Sequence, residues 1–298
     1  MIVNRPKSLR AVVDHRVRRL GLQGARLARW WLAPEAWPAP RRYDEARDGR
    51  LEVLVQAVRL PIASRDGPDD VALERGKRAN IRLAAPAFDG LVVAPDRALS
   101  FWRALGRATE RRGYTWGREL RGGCVVPAIA GGLCLLSNAL FEAAARAGWR
   151  IHERHGHSLE AMAPPPGTIP LDATVAWPDA DLVIAPVDGP ARLSVVVEDD
   201  TLCVSIYAAR ANDETITLSS EEAVVEVAGE RRRSIRVWRR RLDRAGTVLA
   251  TEELAYSDRR ILRPDEVGAT CLTCGETGCR DRPSEETLVA LRTIGKKD

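Results

Sequence analysis

The chain has 298 residues, 45% hydrophobic and 29% charged, with a net charge of +5. That is enough for one large domain or two ordinary ones, and the balance is that of a globular protein rather than a disordered or fibrous one. No apolar stretch approaches 18 residues, no apolar run follows the first charges, and no helix-turn-helix or aromatic-interleaved basic strand is present. This argues against a membrane span, a signal peptide and nucleic acid binding, and makes cytoplasmic residence the expectation.

Residues 8–33 read as a basic helix. Leu9, Val12, Val13, Val17, Leu20, Leu22, Leu27, Trp30 and Trp31 form an apolar face, and arginines fill the rest. Such a helix either packs on the body with a solvated basic side or lies on an anionic membrane surface with its tryptophans at the interface. Pro34, Pro38 and Pro40 end it and start a linker. The expected division is a basic helix and linker over 1–47, a core domain over 48–260 and a cysteine-containing segment over 261–298.

Leu51 to Ile62 is strand-like, and residues 72–87 carry a helical pattern ending near Gly90. Leu91-Val92-Val93, the stretch from Gly113 to Leu120, and Cys124 to Ile129 follow as short extended or apolar segments. Ala130-Gly131-Gly132 then leads into a helix. Leu133, Leu136, Leu140, Ala143, Ala144 and Ala147 recur at three- and four-residue spacing before Gly148 closes the run. After it the pattern turns to strands over 150–161, 171–177, 181–187, 192–198 and 201–208, then 224–227, 234–242 and 247–255. Asp199-Asp200 and Arg244-Ala245-Gly246 read as turns. Helices early and strands late predict an α+β fold, a mainly antiparallel sheet packed on a buried central helix. A second basic run, Arg231-Arg232-Arg233 with Arg236 and Arg239-Arg240-Arg241, is a further candidate for touching an anionic surface.

The central helix puts Cys134 in its first turn. Backbone N–H groups point out of that end, and the helix dipole favours a thiolate there. Gly131 and Gly132 let a backbone or a substrate approach. Downstream, His157 lies on a strand-like segment and Asp172 on the next, spaced for a nucleophile, its base and the group that orients the base. Amides near Leu135 are candidate oxyanion donors. Ser137 follows one turn later and either faces the site or bonds back into the helix. His155 shares a strand face with His157, so the two can also face one metal ion with Cys134 or Asp172 completing the set. Against all of this stands the simpler possibility that Cys134 is a small buried core residue. Cys124 and Cys203 sit in apolar contexts and read as core.

Cys271, Cys274 and Cys279 give a C-x-x-C-x4-C pattern. Three such thiols suit zinc or an iron–sulfur cluster with a fourth ligand from elsewhere, a redox pair, or no ligand at all. In a cytoplasmic chain, thiol or metal chemistry is a better reading of six cysteines than a disulfide framework.

Four elements in order resemble the VanW family, named for an accessory protein of vancomycin-resistance gene clusters. They are Leu99-Ser100-Phe101-Trp102, Gly131-Gly132-Leu133-Cys134-Leu135-Leu136-Ser137, Arg154-His155-Gly156-His157-Ser158 and Asp172-Ala173-Thr174. The resemblance is strong over about 75–190. The family has a glycine where Ala130 stands, a glutamine where Leu135 stands and a turn glycine where Arg97 stands. If that glutamine stabilises an oxyanion, this chain does without it. The resemblance implies a cell-wall setting, hence a small peptide or cell-wall precursor as partner. The order of cysteine, histidine and aspartate is also similar to transglutaminase-like thiol enzymes.

Two functions from different classes are therefore in play. One is a thiol-dependent acyl transferase or amidase using Cys134, His157 and Asp172, with Gly131, Gly132, Leu135, Ser137 and His155 lining the substrate. The other is a non-catalytic accessory or ligand-binding protein, with metal binding as a variant.

Overall fold

The computed structural model describes residues 21, 24, 28, 30, 41–63, 71–121, 124–160, 167–263, 270–272 and 282–294. The protein is a mixed α+β fold, mostly antiparallel sheet with few helices. In chain order its first half holds β1 (Arg41–Arg42), α1 (Glu45–Asp48), β2 (Val53–Pro61), α2 (Val71–Ala84), β3 (Leu91–Val93), β4 (Leu99–Ser100), α3 (Phe101–Leu105), β5 (Trp116–Arg121), β6 (Cys124–Ile129) and α4 (Cys134–Arg146). The second half holds β7 (Arg150–Glu153), β8 (Leu159–Glu160), β9 (Val183–Ala185), β10 (Ala191–Glu198), β11 (Thr201–Ala208), β12 (Thr215–Val227), β13 (Glu230–Leu242), β14 (Val248–Ile261) and α5 (Glu285–Ile294).

The strands form sheets of order β1-β3-β10-β11-β2, β12-β13-β14-β8, β4-β9-β7 and β5-β6. The pairings between named strands are antiparallel except β8 with β14. Helix α4 sits at the heart of the main core. Leu136, Leu140 and Phe141 are buried beside Leu193, Val204 and Ile206 of the large sheet. Ala139, Ala143, Ala144 and Ala145 carry no bulk, so the helix lies close to the strands. Gly148, at φ 78°, ends it. The Trp149 amide reaches the Ala144 carbonyl at 2.9 Å and the Gly148 amide the Ala145 carbonyl at 3.2 Å, the paired bonds of a Schellman stop.

Three departures from the sequence expectation have local causes. The strand expected over 150–161 is broken between β7 and β8, and 171–177 forms only isolated bridges, His155 with Thr174 and Ala176 with Ala180. Polar side chains take backbone donors there: Asp172 accepts from the His157 amide at 2.7 Å, and Asn138 from the Ala173 amide at 2.7 Å. Hydrogen bonds to side chains replace ladder bonds, which hydrophobic alternation cannot reveal. Second, α3 was not anticipated. Ser100 caps it by accepting from the Arg103 amide at 3.2 Å, and Gly106 stops it at φ 72°. Third, β12, β13 and β14 run longer than expected. Their outer parts are exposed on both faces, so no apolar alternation marks them.

The basic run on β13 is threaded with carboxylates rather than gathered into a patch. Arg233 meets Glu160 at 3.0 Å and Glu222 at 2.9 Å, Arg232 meets Asp258 at 3.0 Å, Arg239 meets Glu252 at 2.8 Å and Arg241 meets Glu214 at 2.5 Å. Strand alternation sends Arg233 and Arg239 toward the body with Ile235 and Val237 between them, and Arg239 donates to the Trp149 carbonyl at 2.7 Å.

At the N-terminal side, residues 21, 24, 28 and 30 are helical, and the Trp30 ring lies 5.7 Å from that of Trp177. Most of the expected basic helix, Trp31 included, lies outside the described residues. No helix among the described residues is long and apolar enough to cross a membrane. Near the other end, Cys271 and Leu272 are buried with Leu288 and Leu291 of α5 against Ala72, Leu73 and Val126, a second small core.

Candidate functional site

The site is built on the turn from β6 into α4. Its shape is fixed from below by Asn80, which is fully buried on α2. The Asn80 amide donates to the Gly131 and Thr115 carbonyls, both at 3.0 Å, and its carbonyl oxygen accepts from the Thr115 amide at 2.9 Å. Gly131 lies against the backbone of Gly117 on β5, so closely that a Cβ on either would overlap the other. Gly132, at φ 97°, lies against the side chain of Lys77. The room these glycines leave is thus filled by the chain itself. Gly117→Ala is expected to destabilise the fold by about 1–3 kcal/mol in chemical denaturation and to slow alkylation of Cys134 by moving the turn that carries it.

Cys134 opens α4 as a half-buried free thiol, and no side chain caps the helix. Its sulfur lies 3.4 Å from the Thr174 hydroxyl and 3.8 Å from the Val175 carbonyl. The His157 ring lies near enough to the same sulfur for each to favour the other's charged form. The ring's other side meets Asp172, with Nδ1 2.6 Å from one carboxylate oxygen. The second Asp172 oxygen accepts from the His157 amide at 2.7 Å and from Arg259 at 3.1 Å. Cys134, His157 and Asp172, far apart in sequence, are therefore brought together in a row.

The electrostatics of the row are those of an ion pair. Burial pushes the Cys134 thiol up, but hydrogen bonding to His157, that ring's positive charge and the Thr174 hydroxyl outweigh it and hold the thiol below its ordinary value. Burial also pushes His157 down, yet Asp172 and Cys134 together raise it to about 10. For Asp172, burial is again the opposing effect. Hydrogen bonds and charge from His157, then the charge of Arg259, keep the carboxylate below its usual range. All three shifts favour the charged forms, thiolate beside imidazolium with the aspartate ionised behind it.

Other expected residues are placed elsewhere. His155 does not join His157, because its Nε2 pairs with Glu153 at 2.9 Å on the exposed side. The alternation that would align the two histidines fails where β7 ends and the chain leaves the strand. Among the described residues no group of three or more His, Cys, Asp or Glu side chains is arranged to hold a metal. Cys274 and Cys279 lie outside the described residues, so the C-terminal metal expectation rests on sequence, with only Cys271 placed. Of the amides near Leu135 expected as oxyanion donors, that of Leu135 itself donates to the Gly132 carbonyl at 3.1 Å, since the chain turns tightly there. The Leu135 side chain packs against the main core. Ser137 is fully buried and cannot touch a substrate in this conformation. Its hydroxyl has no hydrogen-bond partner among the described residues, so it is not bonded back into the helix. A cavity of about 340 Å³ lies at the far end of α4, lined by Gly148, Trp149, Asp188, Asn212, Glu214 and Arg241, and shares no residue with this row.

Sequence reasoning missed the supports. Arg154 donates to the Asp172 carbonyl at 3.1 Å, to the Tyr256 carbonyl at 2.8 Å and to the Ser257 hydroxyl at 3.0 Å, tying the histidine segment to β14. A Cβ on Gly156 would press on the Ser257 hydroxyl and the Arg154 guanidinium. Arg259 gives no local signal, being 87 residues from Asp172. Thr174 ends one motif already visible in the sequence, and Asn138 directly follows another.

A cysteine at a helix start, facing a histidine held by a buried aspartate, on an α+β frame, defines a thiol-centred site. Residues 76–207 match the family model described as VanW like protein. A protein of Bacillus subtilis (strain 168), named "Uncharacterized protein YoaR", is 36% identical over 107 residues, covering 36% of this chain and 34% of the relative. The "Vancomycin B-type resistance protein VanW" of Enterococcus faecalis is 27% identical over 143 residues, covering 47% of this chain and 52% of the relative. The chain thus spans about a third of one relative and about half of the other. No solved structure matches the chain significantly.

Proposed function

We propose that this protein is a cysteine-dependent acyl transferase or amidase, transglutaminase-like in the order of its site residues. The observation that carries the reading is His157 held between the Cys134 sulfur and the Asp172 carboxylate, with Nδ1 2.6 Å from the latter. The Cys134 thiolate attacks an amide carbonyl. His157 passes its proton to the departing amine, leaving a thioester on Cys134. The neutral ring then takes a proton from water or an acceptor amine, which releases the acyl group. Asp172 fixes the ring's orientation and tautomer and stabilises its charge. The VanW-type resistance relative supports a cell-wall-related peptide or its precursor as the acyl donor.

The test is trapping of the thioester. Incubation with a synthetic cell-wall stem peptide followed by hydroxylamine is expected to yield the peptide hydroxamate with the wild-type protein and none with Cys134→Ser. Equal yields from the two proteins would refute the acyl-enzyme. A second reading, a ligand-binding protein without catalysis, draws on Leu135, whose apolar side chain packs in the core and whose amide is already engaged. It predicts that Cys134→Ser binds the same peptide as well as wild type and that no hydroxamate forms with either.

A further inference from the structure

We infer that Thr174 is a catalytic residue of this site, its hydroxyl serving first the Cys134 thiolate and then the oxyanion formed on attack. This inference rests on the acyl-transfer reading above and deepens it.

The geometry begins at the sulfur. Thr174 Oγ1 is 3.4 Å from Cys134 Sγ, within hydrogen-bonding reach for sulfur. A thiolate only accepts, so the hydroxyl must be the donor once the proton has left. The Val175 carbonyl, 3.8 Å away, cannot take that part, since it too only accepts.

The backbone that carries the hydroxyl is held firmly in place. The Thr174 amide donates to the His155 carbonyl at 2.8 Å, so the backbone donor is occupied and the side chain is what Thr174 offers the site. The preceding residue is tied down as well, for the Ala173 amide donates to Asn138 Oδ1 at 2.7 Å. Asn138 follows Cys134 by four residues on α4, which puts both on one face of the helix. The helix that carries the nucleophile therefore also fixes the segment that carries Thr174. A donor whose backbone is fixed this way need only turn its hydroxyl at the moment of reaction.

The chemistry needs such a donor. When the thiolate attacks, the carbon–sulfur bond forms and the carbonyl π pair moves onto oxygen. His157 then gives its proton to the nitrogen, the carbon–nitrogen bond breaks and the oxygen pair re-forms the carbonyl of the thioester. Negative charge moves from sulfur to an oxygen two bonds away, roughly 2.6 Å, and a hydroxyl rotor beside the sulfur can follow it. Of the helix-start amides expected as donors near Leu135, that of Leu135 itself is engaged with Gly132.

Two reagents separate this role from a structural one. Iodoacetamide alkylates the thiolate by displacement, with no oxyanion, whereas p-nitrophenyl acetate acylates it through one. Thr174→Val keeps the shape and removes the hydroxyl; Thr174→Ser keeps the hydroxyl. In Thr174→Val, acylation of Cys134 is expected to fall roughly 100-fold or more. Alkylation at saturating thiolate is expected to change by less than about threefold, and Thr174→Ser is expected to restore acylation to within about tenfold. A wild-type protein acylated rapidly at Cys134, with Thr174→Val acylated just as fast, would overturn the role of Thr174 alone. Equal losses in both reactions would also overturn it, reducing Thr174 to packing. A wild-type protein acylated no faster than a free thiol would overturn the acyl-transfer reading and this role with it.

Discussion

Asp172→Asn is expected to lower acyl transfer by roughly 10⁴-fold while leaving Cys134 and His157 in the chain, measured as single-turnover thioester formation. The carboxylate does three things at once. One oxygen holds His157 Nδ1 at 2.6 Å, and the other accepts the His157 amide at 2.7 Å and Arg259 at 3.1 Å. An asparagine oxygen can stand in for only one of the two carboxylate oxygens, its NH₂ cannot accept from a ring N–H or from Arg259, and the charge that stabilises imidazolium is gone. Arg259, 11% exposed, then loses its buried counter-charge, which costs on the order of 3 kcal/mol.

The stability difference between wild type and Asp172→Asn should follow pH in a defined way. Asp172 is held below its ordinary value, so its contribution is whole above the unfolded carboxylate value of about 3.9 and is lost as pH falls through the depressed one. His157 is raised to about 10, so its contribution is whole below about 6.5 and is lost as pH rises toward 10. Denaturant titrations should therefore show the wild-type advantage at its largest between about pH 4 and 6.5. An advantage that grows steadily toward alkaline pH would contradict the pairing.

His157→Ala is expected to abolish turnover, with thioester formation reduced at least 10⁴-fold, because it removes the proton donor to the leaving amine and the charge that keeps Cys134 ionised. At pH 6.5 its alkylation by iodoacetamide should fall at least tenfold, as the thiol returns toward an ordinary value of about 8.5. On the proposed mechanism the active form needs thiolate and imidazolium together. The pH–rate profile should therefore rise as Cys134 ionises below the ordinary thiol range and fall as pH passes about 10. A rate that climbs through pH 8.5 and stays level beyond pH 10 would sink the ion-pair account.

Much of this was readable from residue order. The three- and four-residue spacing from Leu133 to Ala147 with Gly148 behind it marks α4, because one face of that helix fills the core and the glycine makes its stop. Alternation likewise marks β10 and β11, each with one face buried. The helix start, the histidine element and Asp172 are all visible as motifs. The supports are not, for a physical reason. Arg259 reaches Asp172 because β14 passes behind it, and Arg154 is oriented by Ser257 on the same strand. Such pairings depend on tertiary register and leave no local pattern. The same holds for His155: strand alternation would put it beside His157, but the chain leaves the strand after Glu153. Gly131 and Gly132 are visible as permissive positions, yet only the fold shows that Gly117 and Lys77 occupy the space they leave.

The most direct measurement is the ultraviolet absorbance of the thiolate, titrated in wild type and in Cys134→Ser, the difference reporting Cys134 alone. The account predicts that the difference appears well below pH 8.5 and moves toward that value when His157 is replaced by alanine. A Cys134 that ionises near pH 8.5 in wild type, unmoved by His157→Ala, would contradict it and leave the site a buried cysteine beside an unrelated histidine–aspartate pair.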